Sequence, residues 1–270
     1  MCQLTLHKYK ILIPVAMISL LTDLGVGSSA LATLKGQLCQ IQPCPQLVDI
    51  HHHADTQNYF APAFLLRSYF RQFPEQTIHL VAVDVHAAVQ HVLAVCEGRY
   101  FIAADNGILP LALDGFDVSY HRLNSSRAVS VVPRDLYVPA LRTFMEQGFN
   151  TEAVAIPFRH VVQLSWQQPY HMGDFVRITV LYNDDMGNAH TNLDRAWVMQ
   201  HLDQKSWRIK IGYNDYLAAP SEFPQHHQPG TAFAQWSEND FLMLSIQGAS
   251  IASLLGFRRN HDIMIEFDTP

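Results

Sequence analysis

Between residues 17 and 148, apolar runs of strand length alternate with segments of helical period. Few arrangements accept that alternation other than a parallel or mostly parallel sheet with helices returning between its strands. The first run closes on Asp23-Leu24-Gly25, and a helix is predicted over 30–40 after a turn of small residues. A second strand over 47–50 runs into His51-His52-His53, followed by a helix over 58–73 that tolerates Pro62 near its start. TIHLVAVDV, 77–85, reads as a third buried strand. Strand-like runs over 89–96 and 100–104 lead to the turn signature Asp105-Asn106-Gly107, and 135–147 carries apolar residues at helical spacing.

Beyond Phe149 the alternation stops. Pro157, Gln167, Gln168 and Pro169 interrupt the chain, and short alternating segments follow, clearest over 175–182, 196–200, 207–213 and 263–267. These are read as strands of a small barrel or sandwich. The expected fold is α/β: an N-terminal α/β/α layered domain over 1–155, then a small C-terminal β-barrel domain over 156–270. A chain of 270 residues, 49% of them hydrophobic, can fill two such cores.

A net charge of -6 with no block of like charge argues against nucleic acid as a partner and leaves a small-molecule ligand. Lys8 and Lys10 before an apolar run over 11–21 imitate a secretion leader, but a first strand buried on both faces gives the same pattern. Four cysteines, Cys2, Cys39, Cys44 and Cys96, are too few for a disulfide framework in so long a chain. Reduced thiols and a cytoplasmic protein are the expectation, and no stretch is apolar for long enough to span a bilayer.

Ligands of open α/β sheets bind beyond the carboxyl ends of the strands, where this chain puts Asp23 and Asp84. The ligand site is predicted where the two domains meet. Histidines gather at the same strand ends: His51, His52 and His53 after the second strand, His86 and His91 after the third. With Asp23, Asp55 and Asp84, the imidazoles of His51, His53, His86 and His91 could ligate zinc or another transition metal, although their spacing matches no recognised zinc motif. Asp184 to Asn188 by itself reads as a tight turn between barrel strands.

Seven local signatures fall in one colinear series: LLTDLG at 20–25, KG at 35–36, VDI at 48–50, FPEQTIHLVAVD at 73–84, YFIAADNGIL at 100–109, RDLYVPA at 134–140 and NDDMGNAHTNL at 183–193. The series resembles the S-adenosylmethionine hydroxide adenosyltransferases, relatives of the adenosyl halogenases, over nearly the whole chain. The resemblance implies a homotrimer that binds a nucleoside between one subunit's N-terminal domain and a neighbour's C-terminal domain, without a cofactor. The implied reaction displaces methionine from the ribose C5′ of S-adenosylmethionine by water. Asp23, Asn106, Asp184, Met186 and Asn188 become the predicted substrate-binding residues, with Asp23 on the ribose and Asn188 on the purine edge. Met186 stands where the family carries a stacking phenylalanine, and its sulfur can still lie against a base.

Catalysis falls to Asp84 and His91. The family handles its water with an Asp, an Arg and a His; here Asp84 matches, the arginine position falls on His91 and the histidine position on Val132, followed by Pro133. A protonated His91 could stand in for the arginine at the expense of pH dependence. At the methionine end an expected Asp is Ser28, and the pair that would grip the carboxylate aligns on Glu238 and Asn239, leaving Asp184 for the amine. Three readings follow: an S-adenosylmethionine hydrolase, a catalytically silent nucleoside-binding member of the family, and a metal-dependent hydrolase using the histidine-rich strand ends.

Overall fold

A computed structural model describes residues 16–124, 133–202, 206–221 and 226–267. It separates into two compact units, one made of Met1–Thr56, Phe73–Asn106 and Gly115–Val161, the other of Gln57–Gln72, Gly107–Asp114 and Val162–Pro270. In chain order the first 157 residues form β1 (Met17–Thr22), α1 (Ser29–Leu38), β2 (Gln46–His51), α2 (Phe60–Tyr69), β3 (Ile78–Ala82), β4 (His91–Cys96), β5 (Arg99–Ala104), α3 (Ile108–Ala112), β6 (Val118–Leu123), α4 (Val138–Glu146) and β7 (Ala155–Pro157). Cys39, Cys44 and Cys96 are free thiols. Among the described residues no helix is long and apolar enough to cross a membrane.

The first unit is built on a seven-stranded sheet in the order β2-β1-β3-β5-β4-β6-β7. β1 runs parallel to β2 and β3, and β3 parallel to β5, as the alternation predicts. The other half of the sheet is antiparallel. The cause is a two-residue connection, Glu97-Gly98, with both residues at positive φ (46° and 70°), which turns β4 straight back into β5 as a hairpin. Ser28 opens α1, its Oγ accepting from Leu31 N at 3.1 Å, and Leu31, Leu34 and Leu38 present the helix's buried stripe. Leu34 and Leu38 join Leu141 and Phe144 of α4 and the strand residues Ile18, Leu20, Ile78 and Leu80 in one core.

β3 is buried along its whole length and includes His79. The ring stacks on Phe101 at 4.9 Å, and its Nδ1 lies 2.7 Å from Ser19 Oγ. Burial, reinforced by the nearby Arg99, holds the imidazole down to about 3. An unfolded histidine takes up its proton near pH 6.5, so the unfolded chain binds more protons below that value, and stability is lost as pH falls from about 6.5 toward 3. His79 accounts for a loss of about 3 kcal/mol between pH 7 and pH 4. Urea unfolding at the two pH values should show His79→Gln losing clearly less than the parent; equal losses would contradict the assignment.

The second unit takes α2, α3 and the rest of the described chain. Its further elements are β8 (Tyr170–Met172), β9 (Phe175–Asn183), β10 (Ala189–Asp194), α5 (Arg195–His201), β11 (Trp207–Lys210), β12 (Tyr216–Ala218), β13 (Ala232–Trp236), β14 (Phe241–Ile246), α6 (Ile251–Leu255) and β15 (Asp262–Phe267). The strands form an antiparallel eight-stranded sheet in the order β12-β11-β15-β9-β10-β14-β13, with β8 on the side of β9. Its end strands β12 and β13 lie against each other, which makes the sheet barrel-like. Val176, Ile178 and Val180, at every second position of β9, point into a core shared with Leu244, Ile263 and Ile265. Asn58 starts α2: its Oδ1 accepts from Phe60 N at 3.2 Å and its Nδ2 donates to Leu181 O at 3.0 Å. Phe64 of the same helix packs on Leu181 and Phe241.

The strand predicted over 196–200 is instead the helix α5. Asp194 caps it, with Oδ1 accepting from Trp197 N at 2.6 Å, and the buried pair Trp197 and Leu202 lies on its inner side. A run of consecutive apolar residues fits either period, and the capping aspartate decides for the helix.

Candidate active site

At the carboxyl end of β1 the chain passes from Thr22 into Asp23. Thr22 Oγ1 lies 3.0 Å from Nδ1 of the buried His52 and accepts from Leu24 N at 3.3 Å, while Gly25 N donates to His52 O at 2.6 Å. His52 Nε2 sits 3.0 Å from Asp49 Oδ1. The β1 and β2 ends are thereby tied together, and Asp23 leaves the sheet in a fixed direction. Asp23 N donates to Ala82 O at 3.2 Å, and Asp23 Oδ2 accepts from Asp84 N at 2.8 Å. Asp84 occupies the left-handed region with φ of 45°, which an aspartate tolerates better than most side chains. The two residues singled out by the sequence are therefore joined, the backbone amide of Asp84 donating to the carboxylate of Asp23.

His91 opens β4 with Nδ1 2.9 Å from the hydroxyl of Tyr137. Tyr137 is completely buried; burial first, and the Asp23 carboxylate second, push its phenol well above the ordinary value, so the hydroxyl keeps its proton. Burial, with a smaller contribution from His86, brings His91 down to about 4. His91 is accordingly neutral at pH 7 and can take over the hydrogen bonding of an arginine but not its charge. Asn106, also buried, donates from Nδ2 to Val83 O at 3.0 Å and braces the segment that carries Asp84. Asp23, Asp84, His91 and Asn106 thus fall within one connected region of the first unit. Tyr137 is the member that sequence reasoning missed, although it lies within the RDLYVPA signature.

The other histidines are dispersed. His53 Nε2 faces Val26 N at 3.4 Å, the His51 and His53 rings stand edge to face at 6.3 Å, and His86 is exposed in the β3–β4 connection. Among the described residues no group of three or more His, Cys, Asp or Glu side chains is arranged to hold a metal ion. Ser28, at the position of an expected aspartate, is the cap of α1. Pro133 is buried at the start of the helical turn before α4, and Val132 lies outside the described residues.

In the second unit the β9–β10 turn is organised by Asp184. Its Oδ1 accepts from Met186 N at 3.0 Å and Asn188 N at 2.9 Å; its Oδ2 accepts from Asn188 Nδ2 at 2.9 Å and lies 3.1 Å from His190 Nε2. Burial alone would raise this carboxyl, but the bonds from His190 and Asn188 outweigh it and hold Asp184 below its usual range. With four donors on its two oxygens, Asp184 organises the turn. Asn239, the other residue expected at that end, donates from Nδ2 to Phe64 O at 3.2 Å and Ser68 Oγ at 2.5 Å, while Glu238 is exposed. Met186, 76% exposed, and Asn188 line a pocket of about 500 Å³ together with Phe233, Gln235, Ser245 and Ser250. Its lining mixes apolar side chains with the polar groups of Asn188, Gln235, Ser245, Gln247 and Ser250.

Two family models match the chain: the SAM hydroxide adenosyltransferase N-terminal domain over residues 18–154 and the C-terminal domain of the same family over residues 178–264. Among solved structures, an uncharacterized conserved protein from Thermotoga maritima superposes with a TM-score of 0.78 at 21% identity, covering 92% of this chain and 99% of that one. A conserved hypothetical protein from Thermus thermophilus gives a TM-score of 0.69 at 21% identity, over 94% of this chain and 100% of that one. At such identities these two structures show the shared fold and nothing more.

Proposed function

Because the chain belongs to the SAM hydroxide adenosyltransferase family, we propose that it cleaves S-adenosylmethionine with water to give adenosine and methionine. Sulfonium is already a good leaving group, so the protein's task is to place a water in line behind C5′ and keep other solvent away. Asp23, with Oδ2 taken by Asp84 N, offers its other oxygen to the ribose hydroxyls. Asp84 and the neutral imidazole of His91 orient the water. Asn188 reads the purine edge, and the Met186 sulfur covers its face. No cofactor enters this chemistry. The observation that carries the proposal is the bond from the Asp84 amide to the Asp23 carboxylate at the strand end, which ties the two residues together inside a chain of this family. A homotrimer is part of the same reading and is tested by the mass of the protein in solution.

The second reading, a silent nucleoside-binding protein, is favoured by two observations: neutral His91 brings no positive charge where the family has arginine, and Pro133 brings no backbone donor. Stoichiometric protein incubated with S-adenosylmethionine, with products separated by chromatography, tells the readings apart. Adenosine in multiple turnovers is the expected result. Calorimetric binding of adenosine with no product would transfer the assignment to the silent reading.

A further inference from the structure

A neutral imidazole carries one ring proton, which can sit on either nitrogen, and the two forms treat a ligand oppositely: Nε2–H donates a hydrogen bond, bare Nε2 accepts one. An arginine has no such choice, because its guanidinium only donates. His91 can do an arginine's hydrogen bonding only with its proton on the right nitrogen, and its surroundings decide which. The hydroxyl of Tyr137 lies 2.9 Å from His91 Nδ1, the two rings standing edge to face at 5.4 Å. The phenol is fully buried, and among the described residues Nδ1 is the hydrogen-bond partner of its hydroxyl. The Asp23 carboxylate acts on the phenol through its charge, but the hydrogen bond it accepts comes from Asp84 N. Were the ring proton on Nδ1, the phenol oxygen would have to accept it and turn its own hydrogen into the core without an acceptor, which disfavours that form about tenfold or more. With the ring proton on Nε2, the phenol donates to Nδ1 and both groups are satisfied. Nε2 itself has no partner among the described residues and is not one of the ring nitrogens enclosed without one, so it opens outward.

We propose that Tyr137 is a positioning residue: its hydroxyl donates to His91 Nδ1, holds the ring proton on Nε2, and so makes His91 a donor to the attacking water and not its base. The inference rests on the hydrolase reading above and divides the labour within it. Water attacks C5′ as the C5′–S bond breaks, the electron pair of that bond leaving on the methionine sulfur. The proton that the water sheds passes to the Asp84 carboxylate instead of to the imidazole. The position of His91, brought down to about 4 by burial first and His86 second, agrees with this, since a ring of such low basicity is a poor proton acceptor.

The test is long-range ¹H–¹⁵N NMR of the full chain labelled at histidine, in neutral buffer, with the His91 signals identified by their absence from His91→Gln. The lock predicts the pattern of one tautomer, Nε2 protonated and Nδ1 bare. The reverse pattern, or the averaged shifts of two exchanging tautomers, overturns it. In a folded Tyr137→Phe, Nδ1 loses its donor and the second tautomer is admitted, so both ring-nitrogen signals should leave their parent positions. Signals that stay in place overturn the proposal as well. Should Tyr137→Phe fail to fold, two substitutions of His91 replace it, because a glutamine carries its amide nitrogen near the place of Nε2 and an asparagine near that of Nδ1. His91→Gln is then expected to keep about tenfold more of kcat than His91→Asn, with KM alike within about threefold. His91→Asn equal to or faster than His91→Gln overturns the donor role. The lock and the hydrolase reading fail separately. An Nε2–H pattern in a protein that makes no adenosine upholds the lock and removes the hydrolase reading, whereas the reverse pattern in a protein that makes adenosine removes the lock alone.

Discussion

Asp23→Ala is expected to lower kcat/KM for S-adenosylmethionine cleavage by roughly two to three orders of magnitude, the size of effect seen when a charged, positioned hydrogen-bonding group is removed from a reacting site. Two losses combine. The ribose loses a carboxylate acceptor, and Asp84 N loses the partner that now accepts from it at 2.8 Å. Asp84 sits at a φ of 45°, which costs energy unless its surroundings hold it there. Without Asp23 the β3–β4 connection is expected to relax and carry Asp84 and His86 with it. Hydrogen exchange at the Asp84 amide separates the two effects, since Asp23→Asn keeps an acceptor for that amide while removing the charge. Protection retained in Asp23→Asn with activity still reduced would assign the loss to the ribose contact. Activity of Asp23→Ala within about threefold of the parent would contradict the assignment of Asp23.

The largest effect on stability belongs to Gly187→Ala. Gly187 has a φ of 81°, where an alanine pays about 1 to 2 kcal/mol. A Cβ there would also lie 2.1 Å from Ser250 Oγ, 2.3 Å from Ser250 Cβ and 2.8 Å from Ser250 Cα. The last contact is with backbone and cannot be relieved by turning a side chain. The turn and the start of α6 have to move apart, and the bond from Ala252 N to Gly187 O, at 3.1 Å, goes with them. Strain and overpacking together predict a loss of about 3 to 5 kcal/mol. Gly230→Ala is the matched control: its φ is 83°, but nothing lies within 4 Å of the added carbon. It should show the strain alone, about 1 to 2 kcal/mol. Urea unfolding of the two variants checks the difference, and equal losses would mean that the contact with Ser250 yields easily.

What the sequence revealed and what it concealed divide along physical lines. Strands β1, β3 and β5 were legible because burial on both faces writes a nearly uninterrupted apolar run. The antiparallel return of β4 was present in Glu97-Gly98, but a two-residue loop is a faint signal beside a pattern read over a hundred residues. α5 was misread because Ala196 to Met199 is apolar at every position, and only the capping bond of Asp194 gives it a period.

The site shows the same division. Asp23 and Asp84 could be singled out because strand ends are where such sheets bind ligands. Their direct linkage could not, since it depends on an amide in a left-handed turn. Asp184 was legible as a turn residue, but only the structure shows four donors converging on it. Tyr137 carried no signal of its own, because a tyrosine in an apolar helical pattern reads as core, and its hydroxyl matters only through His91. His91 could be named from the series of signatures, yet its burial, and with it its neutrality, lies beyond what spacing can convey.

The most direct test of the account runs the reaction in ¹⁸O-labelled water and weighs the adenosine by mass spectrometry. Attack by water at C5′ predicts adenosine that carries the heavy oxygen in its 5′-hydroxyl, together with one methionine for each adenosine released. Adenosine without the label, or no adenosine after long incubation at stoichiometric protein, would contradict it.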